Sequence, residues 1–328
     1  MSELRQNILT GDWVVIATGR AMRPESFSRD PKPQVGERLS GCPFCAGNES
    51  QTPPEVFALR PVGSRADGPG WEVRVVPNKY PAFSEPPGVV HPEQPYLSMP
   101  AAGRHEVIIH GPEHNATLAH MPVADVLKVF TVYRERLKDL AQDPSLESAI
   151  IIINQGREAG ASIEHPHSQL FALPMVAPLI GKELARMKEI RAKSGQCPVC
   201  SMLAYEASYK ERLIAENEHF LAFCPYASRT PFEMYIVPKA HQPGFSGAGA
   251  AELAAAAEIV KFTLERLRDR LGDPPYNLYL HTVPFREAGD YHWHMTILPK
   301  LSTMAGFEFG TGIMINIAEP DAAAEFLR

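Results

Sequence analysis

The chain of 328 residues has no apolar run of bilayer-spanning length, and its start, Met1-Ser-Glu-Leu-Arg-Gln, has no apolar signal core. Both absences point to a soluble, cytoplasmic protein. Positive charge is short as well: 32 Lys and Arg stand against 38 Asp and Glu, a formal net charge of −6. Without a strong basic field to neutralise a phosphate backbone, a general nucleic-acid binder is excluded, whereas a small phosphorylated substrate needs only a few local donors. Cysteine is limited to five residues. What remains is ordinary globular composition, 45% apolar and 21% charged, enough for one large domain or two smaller ones. The 31 prolines imply irregular connections rather than long helical bundles.

Four of the cysteines fall as Cys42-Pro-Phe-Cys45 and Cys197-Pro-Val-Cys200. In a cytoplasmic chain such knuckles hold metal more often than disulfides. A redox role competes, but thioredoxin-type pairs open a helix after a strand, and neither pair does so clearly. Cys224, in an apolar run, reads as a buried small hydrophobe.

The two knuckles belong to an internal repeat. Arg104-His-Glu-Val-Ile-Ile-His-Gly-Pro-Glu-His114 is answered by Phe232-Glu-Met-Tyr-Ile-Val-Pro-Lys-Ala-His241, each a strand ending in a histidine. A helix follows each, Val123–Leu140 with apolar Val126, Leu127, Phe130, Val132 and Leu137, and Ala250–Leu271 with similar spacing. Strands at 150–153 and 277–280 come next, and His165-Pro-His167 is matched by His292-Trp-His294. One offset of 127 residues relates His114 to His241 and His165 to His292 (241 − 114 and 292 − 165). The pattern predicts an α+β fold made of a duplicated unit, each half an antiparallel sheet with flanking helices, divided as 1–176 and 177–328.

The repeat also orders the metal candidates. A closed structural zinc site takes four N or S ligands in a tetrahedron. Cys42, Cys45, His114 and His165 supply one such set, and Cys197, Cys200, His241 and His292 the other. The competing reading leaves a knuckle metal-free and reduced.

The segment Gly160-Ala-Ser-Ile-Glu-His165-Pro-His167-Ser-Gln169 carries the chemistry. Histidine is the natural nucleophile at neutral pH, because its free imidazole is largely unprotonated. In a strand, histidines at i and i+2 share a face. A nucleophile beside an orienting histidine, preceded by a Gly-Ala-Ser turn of free N–H groups, is a device for attacking phosphorus. The competing reading of His167 is a buried histidine satisfied by backbone bonds. Trp71, Tyr80 and Phe83 are candidates for stacking on a base, though such residues are more often core. His91, His105, His110, His120 and His219 carry no motif and read as ordinary histidines.

This set, from Cys-Pro-x-Cys through His114 to His165-Pro-His167-x-Gln169, resembles the galactose-1-phosphate uridylyltransferase family, the transferase branch of the histidine-triad superfamily. The segment from Leu9 to Arg23 resembles the family's opening strand with its two arginines. Val76-Pro-Asn78-Lys-Tyr-Pro-Ala resembles its nucleoside-binding loop, and Asn154-Gln-Gly-Arg-Glu-Ala-Gly160-Ala-Ser162 its phosphate-binding turn. Pro274-Pro-Tyr-Asn277-Leu-Tyr-Leu-His281-Thr and residues 306–316 lean toward plant-type ADP-glucose phosphorylase, which shares fold and nucleophile. Ser168 replaces a glycine of the best-known uridylyltransferases, and the second knuckle is absent from them, their second half holding iron instead.

The resemblance implies a covalent nucleotidyl-histidine. His167 attacks the α-phosphorus of a nucleotide sugar and expels a sugar 1-phosphate. A phosphate-bearing acceptor then takes the nucleotidyl group, with ping-pong kinetics. Gln169 stands where the hydrolase branch has a third histidine, and favours transfer over hydrolysis because it only donates and accepts hydrogen bonds. Arg20, Arg23, Asn78, Asn154, Gly160 and Ser162 are the implied contacts to phosphate or ribose. His281, Lys300 and residues 307–316 are implied contacts to the sugar phosphate, these late residues reaching a partner subunit's site in a homodimer. Zinc is implied, two per chain, with iron an alternative at the second site. The readings that follow are a uridylyltransferase using UDP-glucose and galactose 1-phosphate, an ADP-glucose phosphorylase, and a zinc-stabilised nucleotide-binding protein without turnover.

Overall fold

A computed structural model describes residues 2–17, 24–27, 39, 41–84 and 95–328, and Arg20, Arg23 and His91 fall outside them. Among the described residues the strands form two sheets. The smaller opens with β1 (Glu3–Gln6) and β2 (Trp13–Ile16), an antiparallel pair. The larger begins with β3 (Phe57–Leu59), β4 (Val73–Pro77) and β5 (Arg104–Ile109). After helix α1 (Val123–Leu140) it continues with β6 (Ser148–Gln155) and β7 (His167–Leu173), in the order β3-β4-β5-β7-β6. Helices α2 (Pro178–Ser194) and α3 (Pro198–Tyr209) lead into the second half. There β8 (Leu213–Glu216), β9 (Phe220–Phe223) and β10 (Met234–Pro238) precede α4 (Ala250–Leu271), and β11 (Tyr276–His281) and β12 (His294–Pro299) follow it. From the far edge they read β8-β9-β10-β12-β11, the same permutation as the first half. Helix α5 (Gly306–Thr311), β13 (Met314–Asn316) and α6 (Pro320–Leu327) come last, with β13 parallel to β2.

The halves meet edge to edge. β6 and β11 pair antiparallel, from Tyr276↔Gln155 to Leu280↔Ile151, so the two arrays are one ten-stranded sheet among the described residues. The boundary at 176/177 falls between β7 and α2, yet one apolar cluster runs through both halves, from Phe130, Ile151 and Leu170 to Val260, Leu278 and Ile297.

Local chemistry accounts for the elements. Residues 150–153 are consecutive isoleucines, stiff at χ1 and suited to a strand buried at the sheet centre. Helix α1 buries Val126, Val129, Phe130, Tyr133 and Leu137 at helical spacing. The carboxylate of Glu252 accepts the Gly249 N–H at 2.7 Å to cap α4, which ends at Gly272 with φ 72°. The two helices pack on each other. Each large apolar side chain so buried contributes about 1.5–3 kcal/mol. The second knuckle does open a helix, α3, but after α2 rather than after a strand. Cys224 is fully buried. No described helix is long and apolar enough to cross a membrane.

Alternation along β7 sorts its side chains. Ser168, Leu170 and Ala172 are fully buried, with Ser168 against Tyr133 of α1. His167, Gln169 and Phe171 take the opposite face.

Candidate active site and metal centres

β5 pairs with β7 so that Ile109 stands opposite His167, Val107 opposite Gln169 and His105 opposite Phe171. The His167 Nδ1–H donates to the His165 carbonyl at 2.7 Å, leaving the ring's lone pair on Nε2. Burial lowers the His167 pKa while this bond raises it, and the net shift is downward, toward neutral imidazole. Phe44, inside the first knuckle, meets the ring edge-on with centroids 5.2 Å apart.

A cavity of about 680 Å³ opens over this ring. Phe44, Asn78, Tyr80, Ser162 and Gln169 line it together with His167. Its far wall, residues 50–53, is anchored by buried Arg74, which donates to Thr52 Oγ1 at 2.7 Å, Glu55 Oε2 at 3.0 Å and Asp67 Oδ1 at 2.7 Å.

The other expected residues are placed differently. Asn154 and Gly160 shape the turn before the histidines: Asn277 Nδ2 donates to Asn154 Oδ1 and to the Ala159 carbonyl, both at 2.8 Å. Gly156 and Gly160 hold φ of 84° and 93°, a region that favours glycine. The row of free N–H groups expected here is partly consumed, because Gly160 donates to the Arg157 carbonyl and Ala161 to that of Gly156. Lys300 follows β12 beside the same turn, its N–H on the Pro275 carbonyl at 2.7 Å, and does not line the cavity. His281 is 2% exposed and bonded to Glu183, away from the cavity lining. Trp71 is core, donating to Glu49 Oε1 at 2.8 Å, and Phe83 is half-buried outside the lining, whereas Tyr80 is exposed at the rim.

His105 is one residue that sequence reasoning missed. Its Nε2 lies 2.9 Å from Gln169 Oε1 and 3.0 Å from Asn78 Nδ2. That position depends on the β5–β7 register, which no local spacing announces.

Two Cys₂His₂ groups converge, Cys42 with Cys45, His114 and His165, and Cys197 with Cys200, His241 and His292. Metal bonds of about 2.3 Å to sulfur and 2.1 Å to nitrogen give a tetrahedral S···N edge of about 3.6 Å. The first group shows S···Nδ1 distances of 3.8, 3.5 and 3.6 Å, the second 3.9, 3.6 and 3.6 Å. The Nε2–H of His165 donates to the Gly111 carbonyl at 2.8 Å and that of His292 to the Pro238 carbonyl at 2.9 Å, so both Nδ1 lone pairs face the sulfurs. Burial pushes His165 and His292 down to about 4, keeping them neutral as ligation requires. Burial also raises the Cys42 thiol and pushes the Cys200 thiol up to about 11, so a cation is what favours the thiolate form of these two. The donor sets fit a four-coordinate metal.

The second half's counterpart of His167 is walled in. His294 is 1% exposed, and its Nε2 is 3.8 Å from Glu183. Glu183 also takes the His281 ring at 3.0 Å and the Tyr291 hydroxyl at 2.5 Å. Burial works against its charge, but His281 and His294 hold the carboxyl well below the usual range. Glu183, His281 and His294 are a third group whose ligand atoms converge on one point.

Comparison with known proteins extends over the whole chain. The family model for the N-terminal domain of galactose-1-phosphate uridyl transferase matches residues 1–177, and a domain of unknown function matches 102–327. ADP-glucose phosphorylase of Arabidopsis thaliana is 33% identical over 333 positions, covering 99% of this chain and 92% of its own. Galactose-1-phosphate uridylyltransferase of Thermotoga maritima is 30% identical over 342 positions, covering 100% and 98%. Among solved structures, an Arabidopsis thaliana ADP-glucose phosphorylase with bound ADP-glucose superposes with a TM-score of 0.84 at 32% identity, covering 100% of this chain and 99% of that one. A uridylyltransferase gives 0.79 at 28%, covering 100% and 97%. Similarity of this extent shows that the chain belongs to the galactose-1-phosphate uridylyltransferase family.

Proposed function

We propose that the chain transfers a nucleotidyl group through a covalent intermediate on His167. The observation that carries this reading is the Nδ1–H bond to the His165 carbonyl, which commits the Nε2 lone pair on a residue lining the cavity. Nε2 attacks the α-phosphorus of a nucleotide sugar, the P–N bond forms, and the bond to the sugar 1-phosphate breaks. A phosphate oxygen of the acceptor then attacks the same phosphorus and releases His167. Gln169, Ser162 and Asn78 supply hydrogen bonds to phosphate or ribose, and Arg20 and Arg23 are proposed to assist them. Asn154 and Gly160 support the turn that carries Ser162. Zinc fits both Cys₂His₂ groups, with iron the alternative at the second. Bound there, it stiffens the strand entries, and at the first group also Phe44 against His167. Thiol ligands of this kind suit a cytoplasmic, reducing setting. A homodimer belongs to the same reading: α5 exposes Phe307 and Phe309, at 47% and 74%, in the segment expected to reach a partner's site.

The donor and acceptor are UDP-glucose and a hexose 1-phosphate such as galactose 1-phosphate. A second pair, ADP-glucose with inorganic phosphate, is favoured by the 33% identity to a plant ADP-glucose phosphorylase along nearly the whole chain. Intact-protein mass spectrometry after brief incubation with each nucleotide sugar separates them. A UMP adduct discharged by galactose 1-phosphate supports the first, and an AMP adduct discharged by phosphate the second. His167→Gly should carry no adduct and keep the fold. A full adduct on that variant would sink the mechanism.

A further inference from the structure

β5 brings His105 to the back of the cavity. The residue is 8% exposed, and its ring stacks on Phe171 with centroids 4.0 Å apart and planes 24° from parallel. The stack fixes the plane of the ring, and the surrounding polar groups fix its proton. The backbone N–H of Ala82 points at Nδ1 from 3.1 Å, so Nδ1 presents its lone pair. In a neutral imidazole the proton is then on Nε2. The acceptor within reach of Nε2 is Gln169 Oε1, at 2.9 Å. Asn78 Nδ2, 3.0 Å from the same nitrogen, is itself a donor. The Asn78 amide is not free to turn over, because its Oδ1 already accepts the Tyr80 N–H at 2.9 Å.

We infer that His105 is a positioning residue whose Nε2–H ties down Gln169 Oε1 and thereby aims the Gln169 amide N–H groups into the cavity. The inference deepens the nucleotidyl-transfer reading and rests on it. Phosphate oxygens only accept hydrogen bonds, so a glutamine that offered its carbonyl would repel them. An untethered glutamine presents either end by turning its amide over. The tether, set by one backbone donor at Ala82, keeps the donor end forward. It also leaves the Asn78 N–H groups with no acceptor on the ring, which favours their use by a ligand. His105 does not line the cavity, and no reacting atom passes through it.

His105→Phe keeps a ring on Phe171 but deletes the donor, while His105→Gln restores an amide donor near the Nε2 position. In single-turnover nucleotidylation of the full chain, His105→Phe should be roughly tenfold to a hundredfold slower, the scale of a misdirected transition-state donor. His105→Gln should recover most of the rate. In a Gln169→Ala background, His105→Phe should add less than about twofold, since no amide remains to be aimed. Losses that multiply in the two backgrounds, or a His105→Gln as slow as His105→Phe, would overturn the positioning role and leave nucleotidyl transfer standing. The wild-type protein gives a check without substitution: ¹⁵N spectra of labelled histidine should show His105 as the Nε2–H tautomer, and the Nδ1–H form would overturn the inference. Wild-type protein that takes up no nucleotidyl group from UDP-glucose or ADP-glucose would overturn both readings.

Discussion

Ser168 faces away from His167, and its hydroxyl is wedged between two buried groups, the Tyr133 hydroxyl and His110 Nε2, the latter at 2.5 Å. His110 is 2% exposed, and its Nδ1 has no partner. Burial, with His167 and His165 nearby, pushes its pKa well below the ordinary value. A depressed histidine pKa stabilises the fold above the unfolded value of about 6.5 and withdraws that stability as pH falls toward the folded value, because the unfolded chain takes up the proton first. Urea unfolding at pH 7.5 and 5.5 should therefore show stability falling with acid. In His110→Phe the fall between the two pH values should be smaller by about 1.4 kcal/mol, the cost of carrying one unfolded histidine through its ordinary pKa. An equal slope in the variant would assign the acid sensitivity to other histidines. Legibility at this scale follows distance along the chain. His167 and the eight cysteines and histidines of the Cys₂His₂ groups are readable because short spacings and one repeated offset mark them. His105 and Arg74 are not, because each acts through partners set by tertiary pairing.

Helix α1 does more than cover the sheet. Its Arg136 reaches β5, donating from Nε and Nη2 to the Glu106 carboxylate at 2.9 and 2.6 Å, with both side chains nearly buried. The pair lies on the helix side of β5, whose other face carries His105 and Val107 toward the cavity. Removing one partner leaves a buried charge unsatisfied, so Arg136→Ala should cost about 3–5 kcal/mol. A joint Arg136→Met, Glu106→Leu replacement should recover most of it. Equilibrium urea unfolding with unchanged m-values would report both, and a loss in Arg136→Ala below about 1 kcal/mol would show the pair to be solvated. Both helices that the apolar spacing predicts coincide with α1 and α4, and the isoleucine run lies within β6. Periodicity is a local property, so these elements are legible. The β6–β11 junction is not, because a run of isoleucines is equally suited to pair with any neighbouring strand.

Across the whole molecule the duplicated halves keep one topology and diverge in access. The first Cys₂His₂ group is enclosed: Cys42, Cys45, His114 and His165 are all buried, and Phe44 packs between the knuckle and His167. The second has an open side, with Cys200 half-buried and His241 exposed. A chelator must reach the metal before it can remove it, so exposure of a ligand sets the rate of loss when the fold is intact. Protein loaded with about two zinc ions should lose one quickly to a strong chelator, with nucleotidylation of His167 largely retained. The second ion should leave only on the timescale of unfolding, and activity and thermal stability should fall with it. Substituting His241→Ala should abolish the fast phase alone, and Cys45→Ser should remove the slow one and lower the melting temperature by several degrees. Release of both ions in one phase would show that ligand exposure does not set the rate of loss, and loss of activity with the fast ion would mean that the open site supports His167 through the shared sheet rather than serving its own half.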